Sequence, residues 1–326
     1  MLYDTKMGGY ELIDLAAELI RRDEVVAFPT ETVYGLGGNA LSDVAIQRIY
    51  EAKNRPKDNP FIVHVTSLEQ ADRVAYVTDD AEVLFKAFAP GPITVVLKKR
   101  DCIPYSATAG LDTVGIRMPS HPMARTFIDA CGLPIAAPSA NLSKRVSPTK
   151  ANYVYDDMAG RVPLILDGGD CEVGIESTVI SLAGDVPTVL RPGIVTVEKL
   201  MAVLPAVKTF SGEVKVAPAP GMKYTHYAPT ALCYGFERDE SALSYVKNNS
   251  DKSVVILCKG EAGRFSPNKA ISLGKDGTEI AHNVFSAMRE CERQYDVILL
   301  QMLSSSGEEG AVMNRILKSC GGKVLS

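Results

Sequence analysis

The sequence has 326 residues, 46% of them hydrophobic, and a formal net charge of -4 at pH 7. This length predicts two domains, each able to bury an apolar core. The acidic balance argues against a protein that coats nucleic acids by bulk charge, while a local basic groove stays compatible with it. No window reaches the roughly 18 apolar residues of a membrane span and no basic segment precedes an apolar run at the start, so we expect a cytoplasmic protein.

In the N-terminal half, short apolar runs alternate with helical patterns. A helix is predicted over residues 10–22, followed by a strand–helix–strand unit with strands at 25–28 and 61–65 and a crossover helix at 44–53. The remaining predicted elements are helices at 79–88, 121–131 and 196–204, and strands at 93–97, 114–118, 135–137, 164–166, 178–182 and 188–190. Since strands dominate the later part, we expect a mixed sheet.

Residues 208–229 lose all periodicity and are rich in Gly and Pro, which predicts a linker between a domain at 1–207 and a domain at 230–326. The second domain has the pattern of a small doubly wound α/β fold, and we find no catalytic constellation in it. Its predicted strands are 232–235, 254–257, 270–273 and 297–301, and its predicted helices are 241–247, 278–295 and 311–319.

Several familiar catalytic motifs are missing. The sequence has no GxxxxGK[ST] loop, no GxSxG and no HExxH, which disfavours P-loop hydrolysis, serine hydrolysis and zinc catalysis. Gly35 to Ala40 fits a dinucleotide fingerprint, but it begins six residues after the strand and lacks the required acid, so we interpret its glycines as backbone turns. The seven cysteines are scattered without a CxxC pair, which is typical of reduced, mostly buried thiols.

Polar and basic side chains gather at the predicted strand ends. Lys53 and Arg55 follow a helix end, where cations also complement the helix dipole. The similarly placed side chains are Thr30, Thr32, Asn59, His64, Arg117, Ser139, Asn141, Ser147, Ser177 and Arg191. Such groups together bind phosphates and carboxylates. For single residues a structural alternative stays open: His64 as a core histidine, Ser177 as a partner of local backbone, and Arg191 as a surface ion-pair residue.

The motifs PTETVYGLG, KNR, SAN, ESTVISL and LRPG, in this order, resemble the signature of the YrdC-type threonylcarbamoyl-AMP synthases. The segment GMKYTHYAP and the tail resemble the long, two-domain form of that family. The resemblance implies a twisted open mixed α/β sheet with a large concave cavity, plus a smaller doubly wound α/β C-terminal domain. It also implies a nucleotidyltransferase that makes L-threonylcarbamoyladenylate and pyrophosphate from L-threonine, bicarbonate or CO2, and ATP, the first step of threonylcarbamoyladenosine modification of tRNA.

The resemblance also implies roles for individual residues. Those near the reacting groups are Lys53 and Arg55, and those near threonine are Thr32, His64, Arg117, Ala137 and Ser177. Those near the nucleotide are Arg55, Asn59, Thr113, Ser139, Asn141, Ser147, Arg191 and, from the linker, His226 and Tyr227. We expect Mg2+ to arrive on the ATP phosphates with no metal ligand from protein side chains, and a tRNA threonylcarbamoyl transferase to use the product.

Three alternatives remain at this point. The first domain could be a nucleic-acid-binding module, because a concave basic sheet can accept RNA, and direct contact with tRNA is left open. It could also be a regulatory binder without catalysis, although the intact Lys53, Arg55, Ser139 and Asn141 favour an enzyme. The linker aromatics could pack between domains or fold over the cavity and touch the nucleotide.

Overall fold

The structure, a computed structural model, describes residues 3–210 and 227–325, which fall into two compact units. The first unit lies within Met1–Ser143, Pro148–Glu172 and Glu176–Lys223, and the second within Lys144–Ser147, Val173–Ile175 and Tyr224–Ser326. The second unit therefore includes two short pieces of the N-terminal sequence. The domain limits at 207 and 230 and the role of 208–229 as a linker stay predictions, and most of that segment lies outside the described residues.

The first unit contains one large sheet with both parallel and antiparallel neighbours, which confirms the expected mixed sheet. Its strands are β1 (Lys6–Gly8), β2 (Val26–Phe28), β3 (Gly35–Asn39), β4 (Ile62–His64), β5 (Ile93–Lys98), β6 (Thr113–Arg117), β7 (Ile135–Ala136), β8 (Leu164–Leu166), β9 (Thr178–Ser181), β10 (Thr188–Arg191) and β11 (Lys208–Thr209). Their spatial order is β1-β8-β2-β3-β7-β4-β6-β5-β9-β10-β11. The strand β4 is parallel to β6 and antiparallel to β7, for example.

Helices cover both faces of this sheet. They are α1 (Ile13–Arg21), α2 (Asp43–Lys53), α3 (Leu68–Val74), α4 (Asp79–Phe88), α5 (Tyr105–Thr108), α6 (Pro122–Cys131), α7 (Ala151–Met158) and α8 (Val197–Met201). Apolar residues of α1 and α6 pack with Val26 and Phe28, whereas those of α2, α4 and α7 pack with Val25 and Ala27. Adjacent residues of a strand face opposite sides, so this alternation separates the two cores. Three of these helices, α3, α5 and α7, are missing from the sequence prediction.

The strand–helix–strand prediction was wrong in its first strand. Residues 35–39, interpreted as backbone turns, form strand β3, which pairs antiparallel with β2 and with β7. Because β7 is in turn antiparallel to β4, the strands joined by α2 in a parallel crossover are β3 and β4, with β7 between them. The glycines hid this strand because they carry no β propensity.

Glycine is needed in β3 because neighbouring side chains fill the space above it. A Cβ at Gly37 would lie 2.8 Å from Ile135 Cγ2 and 2.9 Å from Phe28 Cε1. We therefore expect Gly37→Ala to lower the free energy of unfolding by about 1–3 kcal/mol through overpacking. Chemical denaturation measures this loss. Gly184→Ala is the matched control, because a Cβ there meets nothing within 4 Å. Equal stability of the two variants would contradict the prediction.

The second unit contains a five-stranded parallel sheet, which confirms the predicted smaller α/β fold. Its strands are β12 (Leu232–Phe236), β13 (Val254–Lys259), β14 (Ala270–Gly274), β15 (Val297–Gln301) and β16 (Val324–Leu325), in the order β14-β13-β15-β12-β16. Its helices are α9 (Asp239–Asn248), α10 (Gly277–Cys291) and α11 (Gly307–Ser319).

All seven cysteines are free thiols, and five of them are buried, as expected. No helix in the described ranges has the length and apolar character needed to cross a membrane.

Candidate active site

Several predicted site residues meet where β4 and β6 end and the chain leaves β2. His64 ends β4, Arg117 ends β6, and the two are register partners across the parallel pair. Thr30 and Thr32 follow β2, and Arg117 Nη2 lies 3.4 Å from Thr30 Oγ1. All four side chains are buried. The structure thus brings together three of the residues predicted to bind threonine, namely Thr32, His64 and Arg117.

The hydrogen bonds of the two threonines fix which one can accept from a ligand. Thr30 Oγ1 donates to the Val33 carbonyl at 2.6 Å, which uses its only proton. The 2.8 Å contact between Thr30 Oγ1 and Thr32 Oγ1 must therefore be donated by Thr32. The remaining lone pairs of Thr32 Oγ1 can accept a hydrogen bond from an amine or a hydroxyl.

Arg117 forms a buried ion pair with Glu31, a residue that the sequence analysis left out of the site. Arg117 Nη2 lies 2.8 Å from Glu31 Oε1, and both side chains are about 5% exposed or less. No N–H of Arg117 is aligned with Oε1 as a true hydrogen bond, so charge attraction maintains this contact. The buried Arg117 Nε has no hydrogen-bond partner in the described parts of the chain. A buried guanidinium N–H of this kind can donate a hydrogen bond to a ligand carboxylate.

His64 is held as a neutral ring. Burial, reinforced by the nearby positive charge of Arg117, lowers the pKa of His64 to about 3. Its Nδ1 lies 3.2 Å from the Ile62 carbonyl oxygen, which can only accept, and the ring also has a backbone hydrogen bond with Ile135; we assign the proton to Nδ1. The Nε2 atom of the neutral ring then has a lone pair for a donor.

Because the pKa of His64 is lower in the folded protein than in the unfolded chain, the unfolded chain takes up a proton first as the pH falls. The stabilisation that the neutral His64 contributes is complete above about pH 6.5, the pKa in the unfolded chain. It decreases as the pH falls toward the folded pKa of about 3. Between about pH 7.5 and about pH 5 we expect His64 to account for about 2 kcal/mol of lost stability.

Chemical denaturation of the parent protein and of His64→Gln at both pH values checks this. The variant should lose less stability on acidification, and His282→Gln in the second unit controls for the loss of one histidine. An equal pH dependence in the parent and His64→Gln would refute the prediction.

Lys53 lies at the end of α2 and organises the predicted SxN loop. Its side chain is 2% exposed, and its ammonium donates to the backbone carbonyls of Ser139 and Asn141. Within that loop Ser139 Oγ donates to Asn141 Oδ1 at 2.5 Å. A further residue, Asp157, accepts from the Leu142 N–H at 3.3 Å, and no local sequence signal indicated it. Lys53, Ser139 and Asn141 are therefore one hydrogen-bonded group.

Arg55 and Asn59 form a second polar group, after α2. Arg55 Nη2 donates to the Asn59 carbonyl at 3.1 Å, and its guanidinium lies 5.1 Å from the centre of the Phe61 ring. The Asn59 side chain is buried, and its Oδ1 has no hydrogen-bond partner among the described residues. Arg55 is half-buried, so it is open to solvent and to a ligand while its orientation is restrained.

Ser177 and Arg191 come together beside β5 and β9. The Arg191 guanidinium donates to the Ser177 carbonyl, at 3.1 Å from Nε and 2.9 Å from Nη2. Ser177 Oγ lies 2.8 Å from Thr94 Oγ1, a contact that the sequence did not predict. Arg191 is buried, which rules out the surface ion-pair alternative.

Ala137 lies beside His64: it follows β7, and its N–H donates at 2.9 Å to the Ile62 carbonyl, the oxygen that His64 Nδ1 also contacts. The other predicted site residues have separate locations. Thr113 begins β6 whereas Arg117 ends it, so the two are about 13 Å apart along the strand. Ser147 is buried in a segment of the second unit. Tyr227 stacks on Phe285 in the same unit with ring centres 5.2 Å apart, and His226 lies outside the described residues.

In residues 3–210 and 227–325, no three His, Cys, Asp or Glu side chains come together as a group that could hold a metal ion. Apart from Glu31, Asp157 and the neutral His64, the polar groups at the site are guanidinium, ammonium, hydroxyl and amide groups, which suit anions rather than bare cations.

Family models match both parts of the chain. A model described as "Telomere recombination", for Sua5, YciO and YrdC proteins, matches residues 18–193. A model described as "Threonylcarbamoyl-AMP synthase, C-terminal domain" matches residues 195–321. Together with a mixed sheet whose strand ends carry anion-binding groups, these matches define the class of protein. The chain belongs to the Sua5/YrdC family of threonylcarbamoyl-AMP synthases, in its two-domain form.

Individual relatives agree with this assignment. The threonylcarbamoyl-AMP synthase of Bacillus subtilis is 44% identical, covering 95% of this chain and 93% of that protein. The threonylcarbamoyl-AMP synthase of Pyrococcus abyssi is 43% identical, covering 96% of this chain and 95% of that protein. The crystal structure of P. abyssi Sua5 complexed with L-threonine superposes with a TM-score of 0.91 at 40% identity, covering 100% of this chain and 99% of that one.

Proposed function

We propose that this protein is a threonylcarbamoyl-AMP synthase, which converts L-threonine, bicarbonate or CO2, and ATP into L-threonylcarbamoyladenylate and pyrophosphate. The observation that carries this proposal is the buried Arg117 beside Thr32 and the neutral His64, because its Nε has no hydrogen-bond partner within residues 3–210 and 227–325. A carboxylate, an amine and a hydroxyl are the three polar groups of threonine. The site offers a cation for the first and acceptors for the other two.

The chemistry needs positioning more than a covalent nucleophile. The threonine amine adds to CO2 and releases a proton to solvent, which gives a carbamate; a carbamate oxygen then attacks the α-phosphorus of ATP, and pyrophosphate leaves. Two anions must be held in line against their mutual repulsion, and fixed cations reduce that repulsion. Arg55 and Arg191 supply positive charge for the nucleotide, while Asn59 Oδ1 and the loop of Ser139 and Asn141 supply polar contacts.

The components outside the chain follow from the same scheme. ATP would carry Mg2+ on its phosphates, where the ion would neutralise part of their charge, and the protein's cations would face the rest. The adenylate product is consumed by a tRNA threonylcarbamoyl transferase, which moves the threonylcarbamoyl group to an adenosine of tRNA. His226 and Tyr227 remain proposed nucleotide contacts, and within the second unit Tyr227 stacks on Phe285.

The test is pyrophosphate release from Mg-ATP by the purified full-length protein. Threonine and bicarbonate are each supplied or omitted, and serine replaces threonine as a control. We expect release that requires both co-substrates and falls strongly with serine. ATP turnover that ignores threonine would overturn the proposal, and so would no turnover under any condition together with tight binding of tRNA.

A further inference from the structure

The residue Glu31 has no role in the scheme above, although it is 3% exposed and lies beside the predicted threonine-binding cation. We propose that Glu31 is a positioning residue: it holds the Arg117 guanidinium so that the edge carrying Nε faces the carboxylate of the amino-acid substrate. This inference rests on the proposed function, because it takes threonine to be the ligand of Arg117.

A backbone amide anchors the Glu31 carboxylate in addition to its contact with Arg117. Its Oε2 accepts a hydrogen bond from the Ser120 N–H at 3.2 Å, three residues beyond the end of β6. Its Oε1 then lies 2.8 Å from Arg117 Nη2. The carboxylate thus bridges a backbone amide and the guanidinium, and both of these groups belong to the same stretch of chain. A carboxylate anchored in this way restricts the rotation of the arginine head group.

The contacts to Nη2 leave a defined part of the guanidinium for a ligand. Nη2 is engaged by Glu31 and, at 3.4 Å, by Thr30 Oγ1. Nε is buried and has no hydrogen-bond partner in the described residues. Because the guanidinium is planar and rigid, fixing Nη2 also fixes the direction of the Nε–H bond. A carboxylate that arrives at Nε therefore meets a donor that is already oriented.

Charge balance also points to Glu31. Burial lowers the pKa of His64 and of His121, and burial raises the pKa of the Cys171 thiol, so these three neighbours are neutral at pH 7. Glu31 then compensates the buried charge of Arg117 through a direct ion pair. Without Glu31, Arg117 would be a buried cation free to rotate toward solvent or toward other acceptors.

The experiment compares Glu31→Gln with the parent in the pyrophosphate assay and in calorimetric titration with L-threonine. Glutamine keeps the size of the side chain but cannot accept from both Ser120 and Arg117. We expect the KM and Kd for threonine to rise about 10- to 100-fold, the usual effect of losing a charged contact. The KM for ATP should change less than about twofold, because the nucleotide contacts are elsewhere.

A double-mutant cycle separates positioning from a general structural effect. In an Arg117→Lys background there is no planar head group to orient, so Glu31→Gln should raise the threonine Kd by less than about twofold further. Glu31→Asp is the second variant in case the first folds poorly. It keeps the charge but is one methylene too short to bridge both groups. It should therefore also weaken threonine binding without changing the KM for ATP.

The outcomes are distinguishable from failure of the proposed function. If Arg117→Lys leaves the threonine KM unchanged, the assignment of threonine to this site is wrong and the role of Glu31 falls with it. If Arg117→Lys weakens threonine binding but neither Glu31 variant does, only the positioning role is overturned. Additive losses in the cycle, or equal losses for threonine and ATP that follow the melting temperature, would also overturn it.

Discussion

Replacing Arg55 by alanine is expected to lower the turnover of threonylcarbamoyl-AMP formation by at least about 100-fold while leaving the protein folded. The reason is its setting: the side chain is half-buried and lies over Phe61, and its Nη2 donates to the loop carbonyls of Asn59 and Pro60. Removing one fixed cation from a phosphoryl-transfer site typically lowers the turnover rate by a factor of about 100 or more. Pyrophosphate release at saturating substrates and thermal unfolding measure the two effects separately.

The matched control for this variant is Arg100→Ala. Arg100 is also half-buried and lies over an aromatic ring, that of Tyr76 at 4.5 Å, but it pairs with Asp72 and belongs to no predicted site. We expect it to retain parental turnover. Arg55→Lys should recover part of the lost rate, because it restores the charge without the planar head group. Loss of activity that merely follows the melting temperature across these variants would remove Arg55 from the mechanism.

Replacing Lys53 by methionine is expected to damage both activity and stability. The ammonium donates to the carbonyls of Ser139 and Asn141, and it is buried with them. Its removal leaves those carbonyls without this donor, at about 1–3 kcal/mol for each unsatisfied group, and frees the loop that carries both side chains. We therefore expect turnover to fall at least about 100-fold and the melting temperature to fall measurably.

Lys99→Met is the control that separates these two effects. Lys99 is 7% exposed and its ammonium donates to the Ile103 carbonyl at 2.9 Å, so it is likewise a buried lysine bound to backbone. Because it lies outside the predicted site, Lys99→Met should lose stability but keep the turnover of the remaining folded protein. If Lys53→Met stayed as active as Lys99→Met, the Ser139 and Asn141 loop would need no positioning by Lys53.

The sequence predicted the two α/β folds because most strands are short β-branched apolar runs and most helices carry their own boundary signals. Helix α6, for example, begins at Pro122 and is followed by Gly132 with a φ of 66°. Strand β3 escaped prediction because the need for glycine at Gly37 is explained by Phe28 and Ile135, which pack against it. Local propensity contains no information about such distant neighbours.

For the site, as for the fold, the sequence predicted some features and missed others. Polar residues after predicted strands could be identified, and several of them do meet, because strand ends of one sheet lie near each other. The partners could not be deduced: Lys53 contacts carbonyls 86 and 88 residues away, and Arg117 pairs with Glu31. Glu31 is within the PTET motif, so its position was visible, but nothing local showed which cation it would meet.

The composition of the second unit has a consequence for the biosynthesis of the protein. Within that unit, the buried Arg289 of α10 donates to the Val146 carbonyl, 143 residues earlier. Gly174 is packed so closely on α10 that a Cβ would lie 2.4 Å from the Ala281 carbonyl oxygen. During translation these two early segments emerge on the order of ten seconds before α10 does. A nascent chain therefore cannot complete the surroundings of Ser147 until most of the tail has left the ribosome.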